Sequence, residues 1–369
     1  MSNKKFVIFY FFLFGVFIYC LIGLLGILDF NKNKNNLFKT KDNLNFHRKF
    51  SKKLHHLRDS NRWGKKKNDY LYSEIGKSKN GTHILLQGDS WMEQVLEINS
   101  SFSLFKDFSE IKNLNIINAG ITSYSPTLMN LQYQILKENF GIKPETVVIY
   151  IDQTDIGDEI CRYNPSQVFK NNTLVGVKKE FFTNKIYDYT KIYSYSEINF
   201  INNFPLKFLR LANFKIKYFF IRSYNRFHEI AEVGWKNRGS VKCRFSEIQK
   251  YLFNLDNNSK NIFINSIKNY LKVLEEDKNV KNILLVTFPH FLHLKGEYNV
   301  NVSFLIDDLL EINNFYKISH LNFSKLNFSK INYENIYIDG DPSSHLNNEY
   351  HSELFVKGII KEIEQIIKK

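Results

Sequence analysis

Residues 83–94 read HILLQGDSWMEQ, and the fold turns on how they are taken. Ile84 to Gln87 make an apolar run of strand length, Gly88-Asp89-Ser90-Trp91 break it, and a helical pattern follows. A strand that runs through a tight turn into a helix is the opening unit of an α/β sheet. At such a turn Ser90 has two readings. It is either a nucleophile held at the strand's C-terminal edge, where backbone N–H groups converge on a crevice, or a serine that caps the helix. The turn alone leaves both open.

Working outward, apolar runs of strand length recur at 115–119, 146–151, 282–288 and 335–338. Stretches with helical spacing lie between them. After Pro126, Leu128, Leu131, Ile135 and Leu136 recur at three- and four-residue steps, and Ile262, Ile264, Ile267, Tyr270, Leu271 and Leu274 do so near 260–275. Another helical stretch follows Ser303, and the last carries Val356, Ile359, Ile360, Ile363, Ile366 and Ile367 on one face. This alternation predicts an α/β domain over 81–369, built as a three-layer, doubly wound parallel sheet. Residues 160–255 break the rhythm and are rich in Phe, Tyr, Arg and Asn; they are expected to form a mostly helical insertion on the substrate side. The tandem LNFSK at 321–325 and 326–330 is too short for a repeat architecture and reads as a loop insertion.

The N-terminus has a different character. From Phe6 to Leu28 the chain is apolar or aromatic without a charge, and about 20 such residues cross a bilayer core as a helix. The apolar stretch is longer than that of a cleaved signal peptide, and no small-residue cleavage site follows it. The expectation is a transmembrane signal anchor over 1–29 and a single-pass membrane protein. Lys4 and Lys5 precede the segment while Lys32, Lys34, Lys39 and Lys41 follow it, so charge counting alone favours a cytoplasmic domain. The very short leading tail argues for the opposite, extracytoplasmic placement, which is the orientation expected here.

The formal net charge is +14, and much of the excess lies between Lys32 and Lys67. With neither zinc-finger spacing nor an aromatic RNA-binding strand, this charge reads as a basic tether over 30–80 near an anionic membrane surface, and no nucleic-acid partner is expected. Three cysteines exclude a disulfide-built scaffold and show no metal-ligand spacing. Cys161 and Cys243 form either a pair, if the domain faces an oxidising compartment, or two separate buried thiols.

Ester cleavage needs a nucleophile, a base and donors for the developing oxyanion. Candidates gather after the predicted strands. The second strand ends in Asn118-Ala119-Gly120, where a glycine permits close backbone approach and offers an N–H. The third ends in Asp152-Gln153-Thr154-Asp155, where Thr154 has a hydroxyl to donate and no His joins the carboxylates at metal-ligand spacing, so no metal or cofactor is expected. Near the C-terminus, IDGDPSSHLNNEYH places Asp341 and His345 in one loop, suited to a carboxylate that orients an imidazole base. His290 and His293 are rival bases, and Asp339 is an alternative partner for His345.

In serial order these four blocks resemble the SGNH (GDSL-like) hydrolase family, over roughly residues 81–160 and 280–369. The resemblance implies a flavodoxin-like sheet with Ser90 as nucleophile, His345 as base and Asp341 as the residue orienting it. It implies an oxyanion hole from Ser90 N–H, Gly120 N–H and Thr154. Two departures stand out. The family's third block has Asn where this chain has Thr154, and its final Asp-x-x-His is here stretched by one residue, with Pro342 in the usual Asp position. The implied activity is a membrane-anchored serine esterase acting on acylated glycans or lipids. The alternatives are an O-acyltransferase that passes the acyl group to a surface polysaccharide, and a non-catalytic glycan-binding or assembly protein on the same fold.

Overall fold

The computed structural model describes residues 3–33, 46, 49–51, 53–58, 67–76, 78, 81–171, 173–178, 243, 245–313, 315–326, 328, 335–341 and 343–368. The chain divides into two compact units, Met1–Phe50 with Asp59–Tyr70 and Glu180–Val241, and Ser51–Arg58 with Leu71–Lys179 and Lys242–Lys369. In the first, α1 spans Asn3–Asn33, and the Phe46 ring lies edge-on to Phe50 with centroids 4.8 Å apart. The side chains of α1 are described over 9–25 only, short of a bilayer's width. Among the described residues no helix is long and apolar enough to cross a membrane, so the expected anchor rests on the sequence. Most of the insertion, including its aromatic stretch at 208–214, lies outside the described residues.

The second unit is built on a six-stranded sheet: β1 (Ser73–Gly76), β2 (Thr82–Gln87), β3 (Leu114–Asn118), β4 (Thr146–Tyr150), then β7 (Asn282–Thr287) and β8 (Ile318–Asn322), in the spatial order β1-β3-β2-β4-β7-β8. A separate antiparallel pair, β5 (Gln167–Lys170) and β6 (Thr173–Val177), follows the third strand's loop. β3, β2, β4, β7 and β8 run parallel, and their order is that of the flavodoxin-like doubly wound sheet.

Alternation along the strands decides which helix covers which face. Ile84, Leu86, Ile116, Val148, Leu284 and Val286 face one core with Phe105 and Phe108 of α3 (Asn99–Lys112) and Ile359 and Ile363 of the C-terminal helix. On the other face Gln87, fully buried, donates to Met129 O (3.0 Å) and Gln132 Oε1 (2.6 Å) and accepts from Tyr270. It thereby ties α4 (Pro126–Phe140) and the long helix Asn257–Glu276 to the sheet. The central strands read as unbroken apolar runs because both faces are covered.

Three sequence expectations change. The sheet is mixed, since β1 pairs antiparallel with β3 (Ser73 opposite Asn118). The fifth parallel strand is Ile318–Asn322 rather than 335–338. As a half-exposed edge it needs no apolar run, and it takes in the first two residues of the LNFSK duplication; 335–338 makes only an isolated bridge, Tyr337 to Leu346. Finally, the tether as drawn runs too far. Leu54, His55, Leu57 and Arg58 are buried in the α/β unit, as are Leu71 and Tyr72.

Candidate active site

The turn after β2 is shaped by crowding. A side chain on Gly88 would meet Met92 Cγ at 2.8 Å and Tyr150 Cβ at 3.0 Å, so only glycine lets β2 turn beside β4. The short helix α2, Ser90–Gln94, is capped by Asp89, whose carboxylate accepts from Trp91 N at 3.0 Å. The capping task belongs to Asp89, leaving the Ser90 side chain for another partner. That partner is His345: Ser90 Oγ lies 2.6 Å from His345 Nε2, across 255 residues of sequence. A longer contact of 3.2 Å runs from the Ser90 hydroxyl to Asp89 Oδ2.

His345 is held from behind. Its Nδ1 contacts Asp341 Oδ2, and its backbone N–H donates to the same oxygen at 3.1 Å. The loop from Asp341 to His345 closes as a turn: Ser344 takes a left-handed conformation (φ 54°), and Ser344 N donates to Asp341 O at 3.0 Å. Ser343 N donates to the other Asp341 oxygen at 3.0 Å. Burial opposes ionisation of Asp341, but the His345 hydrogen bond, the charge His345 carries when protonated and the two backbone donors outweigh it. The carboxyl is held below the usual carboxylate range. An ionised Asp341 accepts Nδ1–H, which leaves the Nε2 lone pair facing the serine hydroxyl. Asp339 is exposed.

The hydrogen bonds of the Ser90 hydroxyl reach Asp89 and His345, not the rival histidines. His290 is buried, accepts from Leu292 N at 3.1 Å and contacts Ser344 Oγ at 3.0 Å, so it supports the loop that carries His345. Burial, then the neighbouring His290, push His293 down to about 4.

Gly120 and Thr154 sit at the ends of β3 and β4, as expected, but each is already engaged. Gly120 N donates to Asn118 Oδ1 at 2.9 Å. Its lack of a side chain serves close packing, since a Cβ there would lie 2.5 Å from Met92 Cβ and 2.6 Å from Glu93 N. The Thr154 hydroxyl donates to Asp152, and Thr154 N donates to the same carboxylate oxygen at 3.1 Å. Ser90 N–H is the first amide of α2, a position that helix geometry leaves without an intrahelical acceptor. Behind this edge, burial and then the charge of Asp152 push Asp89 well above the usual carboxylate range; burial and then Asp89 do the same to Asp155. Among the described residues, no group of three or more His, Cys, Asp or Glu side chains is placed to hold a metal ion.

Two supporting residues escaped the sequence reading. Arg58 donates into the Asn118–Gly120 turn. His351, fully buried, contacts Trp91 O through Nε2 at 3.0 Å and Ser101 Oγ through Nδ1 at 2.8 Å, pinning the start of α2 to the C-terminal segment. The one local sign it carries in the sequence is its place six residues after His345. Burial pushes its imidazole down to about 4 from 6.5, with the Trp91 contact opposing and the charge of His345 adding. The folded pKa is therefore depressed, so the unfolded chain takes up the proton first as pH falls. The stability that neutral His351 contributes is complete above 6.5 and is lost progressively towards about 4. His351→Gln is expected to be less stable than wild type at neutral pH, by about 1–3 kcal/mol for a disrupted buried hydrogen bond. Melting curves at several pH values should show that gap narrowing as pH falls through this window. A gap independent of pH would refute the assignment.

No family model matches the sequence, and no curated protein does. Among solved structures the chain is similar to an acetyl xylan esterase, Est2A, from the rumen bacterium Butyrivibrio proteoclasticus, with a TM-score of 0.34 and 7% identity over 78% of this chain and 64% of that one. It is also similar to a catalytic mutant of Axe2, an acetylxylan esterase from Geobacillus stearothermophilus, with a TM-score of 0.33 and 11% identity over 77% of this chain and 96% of that one. This chain thus spans slightly less than two thirds of the first of these proteins.

Proposed function

We propose that this protein is a serine esterase that hydrolyses carboxylic esters through an acyl-enzyme. The observation that carries the reading is the relay Ser90 Oγ to His345 Nε2 at 2.6 Å, with Asp341 on the far side of the imidazole. Ser90 attacks the ester carbonyl while His345 takes its proton, and Asp341 stabilises the imidazolium that forms. The imidazolium then protonates the departing alcohol. In the second half, His345 activates a water that releases the acid and restores Ser90. Ser90 N–H, the Gly120 N–H and the Thr154 hydroxyl are assigned to the oxyanion, the last two by exchanging Asn118 and Asp152 for the charged oxygen as it forms.

The substrates proposed are acylated glycans or lipids of the cell surface, reached from a membrane anchor at the N-terminus. The uncharged stretch from Phe6 to Leu28 supports the anchor, as do the exposed Phe11, Phe12, Phe14, Phe17, Leu24 and Leu25 of α1, an arrangement that water disfavours. An extracytoplasmic domain is supported by the Cys161–Cys243 disulfide, a bond that persists in oxidising compartments.

The full-length protein in detergent should react with a fluorophosphonate and carry one adduct, mapped by peptide mass spectrometry to Ser90. Absence of the adduct from folded protein, or an adduct on another serine alone, would overturn the esterase reading.

A further inference from the structure

Arg58 comes from the basic stretch that precedes the sheet, yet it is only 2% exposed, and its guanidinium makes three hydrogen bonds to one turn of the site. Nε donates to Gly120 O (2.8 Å), while Nη2 donates to Asn118 O (2.8 Å) and Asn118 Oδ1 (2.9 Å). Nη1 reaches Ser73 Oγ at 3.0 Å, on the strand that pairs with Asn118. A rigid planar fork of this kind fixes several acceptors at once, which a lysine ammonium does not.

Each acceptor has a consequence on the opposite side of its peptide. With Asn118 O turned to Arg58, Ala119 N points to Leu86 O (2.7 Å); with Gly120 O turned the same way, Ile121 N points to Gly88 O (3.0 Å). The turn is thus stitched to β2 immediately before Ser90. Arg58 also decides which end of the Asn118 amide faces where. Oδ1, held by the guanidinium, accepts Gly120 N at 2.9 Å, so Nδ2 is left to donate to Met92 O in α2 at 2.7 Å. Adjacent residues reinforce the clamp: Tyr124 OH donates to His56 O and His56 Nε2 contacts Thr122 O, both at 2.8 Å.

We propose that Arg58 is a positioning residue for the reaction: it fixes the peptides on either side of the one that carries Gly120 N–H, whose own carbonyl, Ala119 O, is held by Gln132 Nε2 at 2.8 Å, and through Asn118 it sets the distance of the turn from the Ser90 helix. The inference rests on the esterase reading above, in which Gly120 N–H serves the oxyanion. Misplacing such a donor by a fraction of an ångström weakens a contact made in the transition state, while ground-state binding of a small ester is little affected.

The test compares full-length wild type, Ser90→Ala, Arg58→Lys and Arg58→Ala on para-nitrophenyl acetate, with circular dichroism to measure the folded fraction. Arg58→Lys keeps the charge and loses the fork, and it should lower kcat by about ten- to a hundredfold with KM within about threefold. Arg58→Ala should lose at least as much and regain part of it with added methylguanidinium, a recovery that general destabilisation does not produce. A folded Arg58→Lys with kcat within about twofold of wild type overturns the proposal and leaves the esterase standing. So does a loss in both variants that follows the unfolded fraction alone. Wild type no faster than Ser90→Ala removes the esterase reading, and this proposal with it.

Discussion

Ser90→Ala is expected to lower kcat on an activated acetate ester by about 10⁴- to 10⁶-fold, and His345→Ala by a similar factor. The double variant should be no worse than either single one, because the two groups perform one step: the hydroxyl is a weak nucleophile unless its proton has somewhere to go. At 2.6 Å from Ser90 Oγ, His345 Nε2 is the only imidazole nitrogen found against that hydroxyl among the described residues. Asp341→Asn should cost about 10⁴-fold, since an amide in that place no longer holds the Nδ1–H tautomer. Asp339→Asn should remain within about twofold, an exposed carboxylate being screened and replaceable by water. Steady-state kinetics on folded proteins decide all of these. A Ser90→Ala protein that keeps wild-type activity would move the reaction elsewhere, and an inactive Asp339→Asn beside an active Asp341→Asn would reassign the acid.

How much of this could be read from sequence follows from the kind of signal each part carries. The central strands were legible because burial on both faces demands apolar runs, as at 146–151 and 282–288. The edge strand Ile318–Asn322 faces no such demand, and only its neighbour β7 makes it a strand. Ser90 stood out because it follows the end of a parallel strand, where such a sheet opens a crevice; Asp341 and His345 stood out because they share one loop four residues apart, although the run before them makes only an isolated bridge. The engagement of Thr154 was not. A short polar side chain after a strand offers a donor on paper, but the same shortness lets it fold back on Asp152 two residues earlier. Arg58 was hidden for another reason. Its work is done by contacts to residues about 60 positions away, and a cation among lysines on either side gives no local sign that it is buried. The strand-to-helix turn at Gly88–Ser90 has a local pattern in the sequence, whereas Arg58 and His351, which contact the neighbouring turn and helix, have none.

Removing the disulfide is expected to have the largest effect on stability. Cys161 lies in the π-helical segment Asp158–Tyr163, which continues the short helix Asp155–Gly157 after β4, and Cys243 precedes the helix Phe245–Phe253; their Cα atoms are 5.6 Å apart and they are separated by 82 residues. Closing so long a loop removes chain entropy from the unfolded state, so Cys243→Ser should lose about 3–4 kcal/mol, or about 10 °C in melting temperature for a domain of this size. Arg162, the residue after Cys161, pairs with Asp158 one turn earlier on the same segment at 2.6 Å. Melting wild type with and without reductant, alongside Cys161→Ser and Cys243→Ser, tests the contribution of the bond. The reduced wild type should fall to the level of the single variants, and reductant should leave those variants unchanged. Thiol alkylation of protein in freshly opened cells then reads the compartment. Protected Cys161 and Cys243 require an oxidising side, whereas two alkylated thiols would place the domain in a reducing one and withdraw the extracytoplasmic assignment along with the stabilisation.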